Sequence, residues 1–262
     1  MNIATILGLI LGVAALVVGY LMEGGALASL FAPTALIIVF GGTIATTLVS
    51  YPLNAVLKLP KLALLTVISP KHRTEEIIAL FLKLSDLARR DGLLALETEA
   101  QNIEDPFIQK GVNLVIDGTD SEVVEEILMN DIASMEERHR VNYKVFESMG
   151  GYAPTMGVLG TVMGMVVVLS NLAEPEHLGH SIAVAFLATL YGVGSANLIY
   201  LPLASKLKLQ SEHEAMERRM IVQGILAIQR GDNPAIVGEQ LTSFLSSAQA
   251  KRRRDADLPQ AA

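Results

Sequence analysis

A chain of 262 residues that is 51% hydrophobic, with a mean hydropathy of +0.44, is too apolar to lie wholly in water. Cysteine and tryptophan are absent, aromatic residues make up 5%, and the net charge is −7. These values exclude disulfides, thiolate metal sites and cysteine nucleophiles, and they argue against a surface for nucleic acid, which needs cations and stacking platforms.

The first 57 residues hold two charge-free stretches. Ile3 to Met22 supplies the roughly 20 apolar residues that a membrane span needs. Ala26-Leu27-Ala28 resembles a signal-peptide cleavage site, but Met1-Asn2 carries no cation and the apolar run is too long for the central region of a signal peptide. Gly24 to Leu57 is long enough for one tilted span and a short loop, with Ala35 to Val49 its most apolar part.

Residues 58–147 read as a helical insert. Thr74 caps a helix whose first turn holds Glu75 and Glu76, and Ile77, Leu80, Phe81, Leu84 and Leu87 form its apolar stripe. Gly92 ends it, and a second helix runs from Leu93 toward Ile103. Asp105-Pro106 is an N-cap followed by proline at the first helical position. Asp117-Gly118 is a turn, and Thr119-Asp-Ser-Glu122 fits a capping box. From there a single long helix continues into a third apolar stretch, Ser148 to Ala173.

The fourth stretch, Ser181 to Ser205, runs on past Pro202 into a polar helix, Leu203 to about Arg230. Gly231 stops it and Asn233-Pro234 starts a last helix. The run Lys251-Arg-Arg-Arg-Asp reads as a solvated tail, since no apolar anchor accompanies it. The two pairs of spans do not align with each other as an internal repeat.

All lysines and arginines lie between Lys58 and Lys144 or from Lys206 onward. Lys58, Lys61, Lys71 and Arg73 flank one end of the insert, and Arg138, Arg140 and Lys144 the other. The connection at Glu23 has no cation, and that between Asn171 and His180 holds only Glu174, Glu176, His177 and His180. By the positive-inside rule the insert, the tail and both termini are cytoplasmic. The fold class is all-α membrane protein. Spans one and two occupy 1–57, the cytoplasmic helical insert 58–147, spans three and four 148–205, and the helical C-terminal tail 206–262.

No Asp, Glu, Lys or Arg lies inside a span, although such groups are the usual marks of ion pathways. The chain is then either a plain anchor or one wall of a path whose titratable group sits on another chain. Gly150 to Met165 favours the second reading. Gly157, Gly160 and Gly164 fall near one helix face and permit close helix packing. Pro154 cannot donate to the carbonyl of Gly150 and is expected to force a kink or local opening, and freed backbone oxygens are tolerated in a membrane only inside protein or facing water. Thr155 and Thr161 bring hydroxyls nearby, though each could bond to its own helix instead. In the fourth span Thr189, Gly192, Gly194, Ser195, Asn197 and Pro202 repeat the theme.

Ala153-Pro-Thr-Met-Gly-Val-Leu-Gly-Thr161, Phe186-Leu-Ala-Thr-Leu-Tyr-Gly192 with Pro202, and Ala88-Arg-Arg-Asp-Gly-Leu-Leu-Ala-Leu-Glu97 together resemble the MotA/PomA flagellar stator family, within the MotA/TolQ/ExbB superfamily. The likeness covers essentially the whole chain, and Tyr-Gly-Val-Gly-Ser-Ala-Asn is closest to the PomA/MotC-like branch. It implies a ring of five copies in the bacterial inner membrane around two copies of a MotB- or PomB-type B subunit, whose membrane helix supplies the essential aspartate. Ion flow then turns the ring, and the insert pushes the rotor protein FliG. The resemblance implies that Arg89, Arg90 and Glu97 contact the rotor, and that Pro154, Thr155, Gly157, Thr161, Thr189 and Pro202 border the ion path. Thr161 matches a threonine that helps bind sodium in sodium-driven members, but Ala188 stands where those members carry a second threonine. That departure favours a transported proton, with sodium the alternative. No cofactor or resident metal is implied.

An ExbB/TolQ-type proton-driven energiser is the rival reading, with typically three spans and without the Arg89–Glu97 signature. A self-sufficient channel is disfavoured by the charge-free spans. For an enzyme there is no nucleophile motif or phosphate loop, and His177 and His180, spaced i, i+3 in an outer loop, make a poor metal site.

Overall fold

The computed structural model describes residues 3–67, 73–171 and 175–245. Lys71, Glu174 and the basic run from Lys251 lie outside the described residues, as do the side chains of Glu176 and His177. Every element among the described residues is helical. Four stretches are long and apolar enough to cross a membrane: Ala4–Met22, Leu27–Ser50, Ser121–Ser170 and Leu178–Arg230. The chain divides into two compact units, Met1–Ser69 with Arg138–Leu209, and Pro70–Glu137 with Gln210–Ala262.

The first unit contains helix α1 (Ile3–Met22), a short 3-10 turn at Leu27–Leu30, and a second span made of α2 (Pro33–Leu36), a π-helical turn (Ile37–Gly41) and α3 (Gly42–Ser50). Within this span Thr43 and Thr47 are fully buried and donate to the carbonyls of Val39 and Thr43 at 2.6 and 2.7 Å, so their hydroxyls are satisfied without water. Tyr51 is extended, as a residue before proline must be, and ends the span ahead of Pro52. Its hydroxyl lies 2.8 Å from Ser148 Oγ and donates to the Lys144 carbonyl at 3.1 Å. Short helices α4 (Leu53–Val56) and α5 (Leu59–Val67) then pack Ala55 and Leu62 against Val145, Phe146, Met149 and Tyr200.

The second unit is built on α6 (Thr74–Asp91), α7 (Leu96–Ala100), α8 (Pro106–Ile116) and α12 (Pro234–Thr242), with the ends of two longer helices, α9 (Ser121–Ser170) and α11 (Leu201–Arg230). Phe81, Ile78, Leu84, Leu128, Met220 and Ile225 are fully buried in one core. Asp105 accepts from the amides of Phe107 and Ile108 at 2.8 and 3.3 Å, and Asn233 from that of Ala235 at 3.0 Å, so both expected N-caps form. Gly92, Gly118 and Gly231 take positive φ values of 86°, 73° and 73°, as the ends of α6, α8 and α11 require.

Three expectations are corrected. Thr74 is the first helical residue of α6; Arg73 holds the cap position and makes no side-chain cap bond. The segment after Gly92 is a 3-10 turn at Leu93–Ala95 followed by a five-residue helix. Core burial of Leu96 and Ala100 sets its path, where propensity alone suggests one longer helix. Helix α9 starts at Ser121, and the Val124 amide bonds to the Asp120 carbonyl at 2.9 Å. Asp120 thus holds the cap position, and the Thr119 carbonyl, outside the helix, accepts from Gln229 Nε2 at 2.6 Å.

Helix α9 is the single long helix that the sequence suggests, 50 residues with Pro154 inside it, and its helical run is not opened at that proline. Helix α10 (Pro175–Ser195) passes through a second π-helical turn, Ala196–Tyr200, into α11. The Leu201 amide there reaches back five residues to the Ala196 carbonyl. Pro202 explains the widened turn: its ring would clash with the Leu198 carbonyl in a regular α-helix, and it has no N–H to offer.

Candidate functional site

The seam between α9 and α10 is a line of positions where no side chain fits. A Cβ on Gly157 would lie 2.8 Å from the Ala188 carbonyl oxygen and 3.2 Å from Thr189 Cα. One on Gly192 would lie 2.5 Å from the Ala153 carbonyl oxygen and 3.1 Å from Gly157 Cα. Gly160 and Gly164 face the methyls of Ala188 and Ala185 in the same way, at 2.7 and 2.6 Å. The two helices therefore meet backbone to backbone, as the small-residue spacing suggests.

This close approach brings two hydroxyls together. Thr161 Oγ1 lies 2.6 Å from Thr189 Oγ1, 2.9 Å from the Ala185 carbonyl and 3.1 Å from that of Gly157. Back-bonding to its own helix and reaching across to the neighbour thus coexist at Thr161. The pair owns two protons for three contacts between four oxygens. When Thr189 donates to Thr161, the Thr161 proton serves one of the two carbonyls and leaves the other with a free lone pair. Such a cluster can solvate a cation or align a proton acceptor. It carries no charge of its own, since no Asp, Glu, Lys or Arg occurs in α1, in residues 27–50, in 148–171 or in 178–205. No group of three metal-ligating side chains occurs among the described residues.

The structure brings Gly157, Thr161 and Thr189 together and leaves the other expected residues apart from that cluster. Pro154 is half-buried one residue beyond Ala153, whose carbonyl touches Gly192. Thr155 is exposed and donates to the Tyr152 carbonyl of its own helix at 2.7 Å. Pro202 is exposed below the π turn. Ala185 joins the cluster through its backbone oxygen, a contribution that no sequence motif signals.

Tyr191 is a further addition. Its hydroxyl accepts from the Ala32 amide at 3.1 Å and donates to the Leu30 carbonyl. It thereby ties the fourth span to the entry of the second. A cleft of about 390 Å³ lies beside this seam, lined by Thr34, Ile38, Gly160, Gly164, Val184 and Ala188, with His180 also in its lining.

In the other unit, Arg89 and Arg90 close the last turn of α6, where the helix dipole favours cations. Arg90 forms an ion pair with Asp86. Arg89 and Glu97 are exposed, and among the described residues neither has an ion-pair partner. Lys83 and Glu99 pair nearby in sequence at 2.6 Å.

Comparison with known proteins gives two family matches. Residues 6–92 match the description "Motility protein A N-terminal", and residues 99–220 match "MotA/TolQ/ExbB proton channel family". The chain is 35% identical over 246 residues to motility protein A of Bacillus subtilis, covering 94% of this chain and 91% of the relative. It is 37% identical over 257 residues to chemotaxis protein PomA of Vibrio alginolyticus, covering 98% and 100%. The structure of the flagellar MotAB stator complex from Bacillus subtilis superposes with a TM-score of 0.88 at 33% identity, covering 95% of this chain and 98% of that one.

Proposed function

The chain belongs to the motility protein A family, within the MotA/TolQ/ExbB proton channel family, and on that premise we propose how it works as the A subunit of an ion-driven flagellar stator. The match over residues 6–92 to the motility-protein description favours this role over that of an ExbB/TolQ-type energiser.

The observation that carries the mechanism is the Thr161–Thr189 oxygen cluster within spans that contain no acid. The missing carboxylate comes from a MotB- or PomB-type partner helix, around which several copies of this chain, five by family likeness, form a ring. A carboxylate accepting from the Thr161 or Thr189 hydroxyl gains a charge-assisted bond of about 1.5–3 kcal/mol. Protonation from outside removes that charge, releases the contact and lets the ring step; loss of the proton to the cytoplasm restores it. One proton crossing 100 mV releases about 2.3 kcal/mol, enough to exchange one such bond. Pro154, Thr155, Gly157 and Pro202 border the same path.

The ion is a proton. Ala188, 1% exposed against Gly160, presents a methyl where sodium-type members carry a hydroxyl, and sodium needs several oxygen ligands. Swimming speed is expected to fall with the proton-motive force and to ignore external sodium. A speed that follows sodium concentration overturns this assignment.

The insert and tail are cytoplasmic, and so are both termini, by the distribution of lysine and arginine. Arg89, Arg90 and Glu97 meet the rotor protein FliG. Reversing Arg89 or Glu97 singly is expected to stop swimming while leaving the protein in the membrane; normal motility in both variants sinks the rotor contact.

A further inference from the structure

The second span, Leu27–Ser50, is 24 residues long, more than the roughly 20 that cross the hydrocarbon layer. Helices α4 and α5 therefore begin at the headgroup level. Their inner face is fixed by packing. Ala55 and Leu62 join the cluster of Val145, Phe146 and Tyr200, Thr66 is fully buried and donates to the Ala63 carbonyl at 2.7 Å, and α5 packs against α1. The outer face meets nothing within this chain. Leu57 is 71% exposed and Leu64 62%. Lys58 and Lys61 are exposed as well, and among the described residues neither has an ion-pair partner.

Helix geometry gathers these side chains on one face. The Leu62 amide bonds to the Lys58 carbonyl at 2.9 Å, so Lys58 is in register with the first turn of α5. Lys58, Lys61 and Leu65 follow at i, i+3 and i+7, with Leu57 and Leu64 in the adjacent row. Leu62 and Thr66 are turned away from that face into the packed side. Leucines alone would suit a lipid tail or a neighbouring helix equally. Two unpaired ammonium groups among them, at headgroup level, call for an anion above an apolar layer: the lysine stems lie along the leucines and the heads reach outward. A second copy of this chain is poorly matched. In residues 51–67, 138–148 and 203–209 the sequence sets Lys58, Lys61, Arg138, Arg140, Lys144, Lys206 and Lys208 against one carboxylate, Glu147, so two such surfaces repel.

We propose that the outer face of α4 and α5 is a seat for anionic phospholipid, with Lys58 and Lys61 on the headgroup phosphate and Leu57, Leu64 and Leu65 on the acyl chains. The seated lipid braces the foot of the second span, against which the third and fourth pack through Val145 and Tyr200. The inference needs only that the chain spans a membrane; it is independent of the transported ion and of the rotor contact.

The test uses the complete stator, this chain with its B subunit, purified in detergent. The complex is mixed with equal amounts of phosphatidylglycerol and phosphatidylcholine of the same acyl chains, and native mass spectrometry counts the lipids retained and the copies in the ring. The unaltered complex is expected to prefer phosphatidylglycerol. The double variant Lys58→Gln, Lys61→Gln is expected to lower that preference on the order of tenfold, the scale of two lysines at a charged surface. The double variant Lys58→Arg, Lys61→Arg keeps both charges and is expected to stay within about twofold. Lys110→Gln in the second unit, whose partner is Asp131, is the control expected to leave it unchanged. An undiminished preference in the double glutamine variant overturns the proposal. So does displacement of the lipid by soluble glycerol phosphate at equal concentration, which would make the site one for a free phosphate. A ring that loses copies in the double glutamine variant makes this face a contact between copies of the chain and overturns it too.

Discussion

In the unit that holds the spans, Gly157 and Gly192 place one helix backbone against another, and the contact is completed by the hydroxyls of Thr161 and Thr189. In the second unit, Phe81, Ile78, Leu84 and Ile225 fill a core of large side chains, and Phe81 occupies the space over Gly224. The difference follows from the solvent. Lipid tails are as apolar as leucine, so burying leucine in the first unit gains little, and close van der Waals contact and hydrogen bonds hold the helices together. In water the second unit gains from every apolar surface it covers. The two units should therefore fail under opposite kinds of substitution, one by added atoms and the other by removed ones.

The largest effect is expected from Phe81→Ala. The side chain is fully buried, and its loss should cost about 3–5 kcal/mol, read as a lower unfolding temperature of the purified complex. Next is Gly192→Ala. The new methyl meets the Ala153 carbonyl at 2.5 Å with no flexible side chain to yield, and overpacking of this kind costs about 1–3 kcal/mol. Swimming should be lost with it, because the seam carries Thr189. A matching Gly8→Ala, where nothing lies within 4 Å, should change neither reading; if Gly192→Ala is equally silent, the contrast between the units breaks.

Thr161→Val sharpens the comparison. It removes the bonds to Thr189 and the Ala185 carbonyl, a stability loss of about 0.5–1.5 kcal/mol, yet it takes away a hydroxyl from the proposed path. Torque on tethered cells should fall much further than stability does; proportionate losses would make Thr161 a packing residue only. The smallest effect is expected from Asp86→Ala in the second unit. Its ion pair with Arg90 is largely exposed, so the unfolding temperature should move by no more than about 1 kcal/mol implies.

Much of the fold was legible because its signals are local. Asp105-Pro106 and Asn233-Pro234 start helices, and Gly92, Gly118 and Gly231 end them, through interactions that span only a few residues. In the Leu93–Ile103 segment the core burial of Leu96 and Ala100 outweighed a weak local helix preference, and α6 and α9 begin at Thr74 itself and at Ser121, so that their caps fall one residue before Thr74 and one after Thr119. Of the site, Gly157, Thr161 and Thr189 stand out in the sequence as small and polar residues in apolar spans. Their meeting does not, since Thr161 and Thr189 are 28 residues apart. Neither π turn was foreseen, although Pro202 gives a reason for the second.

The sequence by itself determined four spans, the order of the helices and the absence of an acid within the spans. Hydropathy, charge and chain punctuation act without regard to what lies far along the chain. Only the tertiary structure decided that Thr161 bonds across to Thr189 as well as back to Gly157, that Tyr191 holds Leu30 and Ala32, and that Leu62 and Thr66 are buried while Lys61 and Leu64 are exposed. Each depends on which groups come within hydrogen-bonding or van der Waals reach, and for the threonine pair that is set by glycine-sized gaps on one helix meeting carbonyls and methyls on the next.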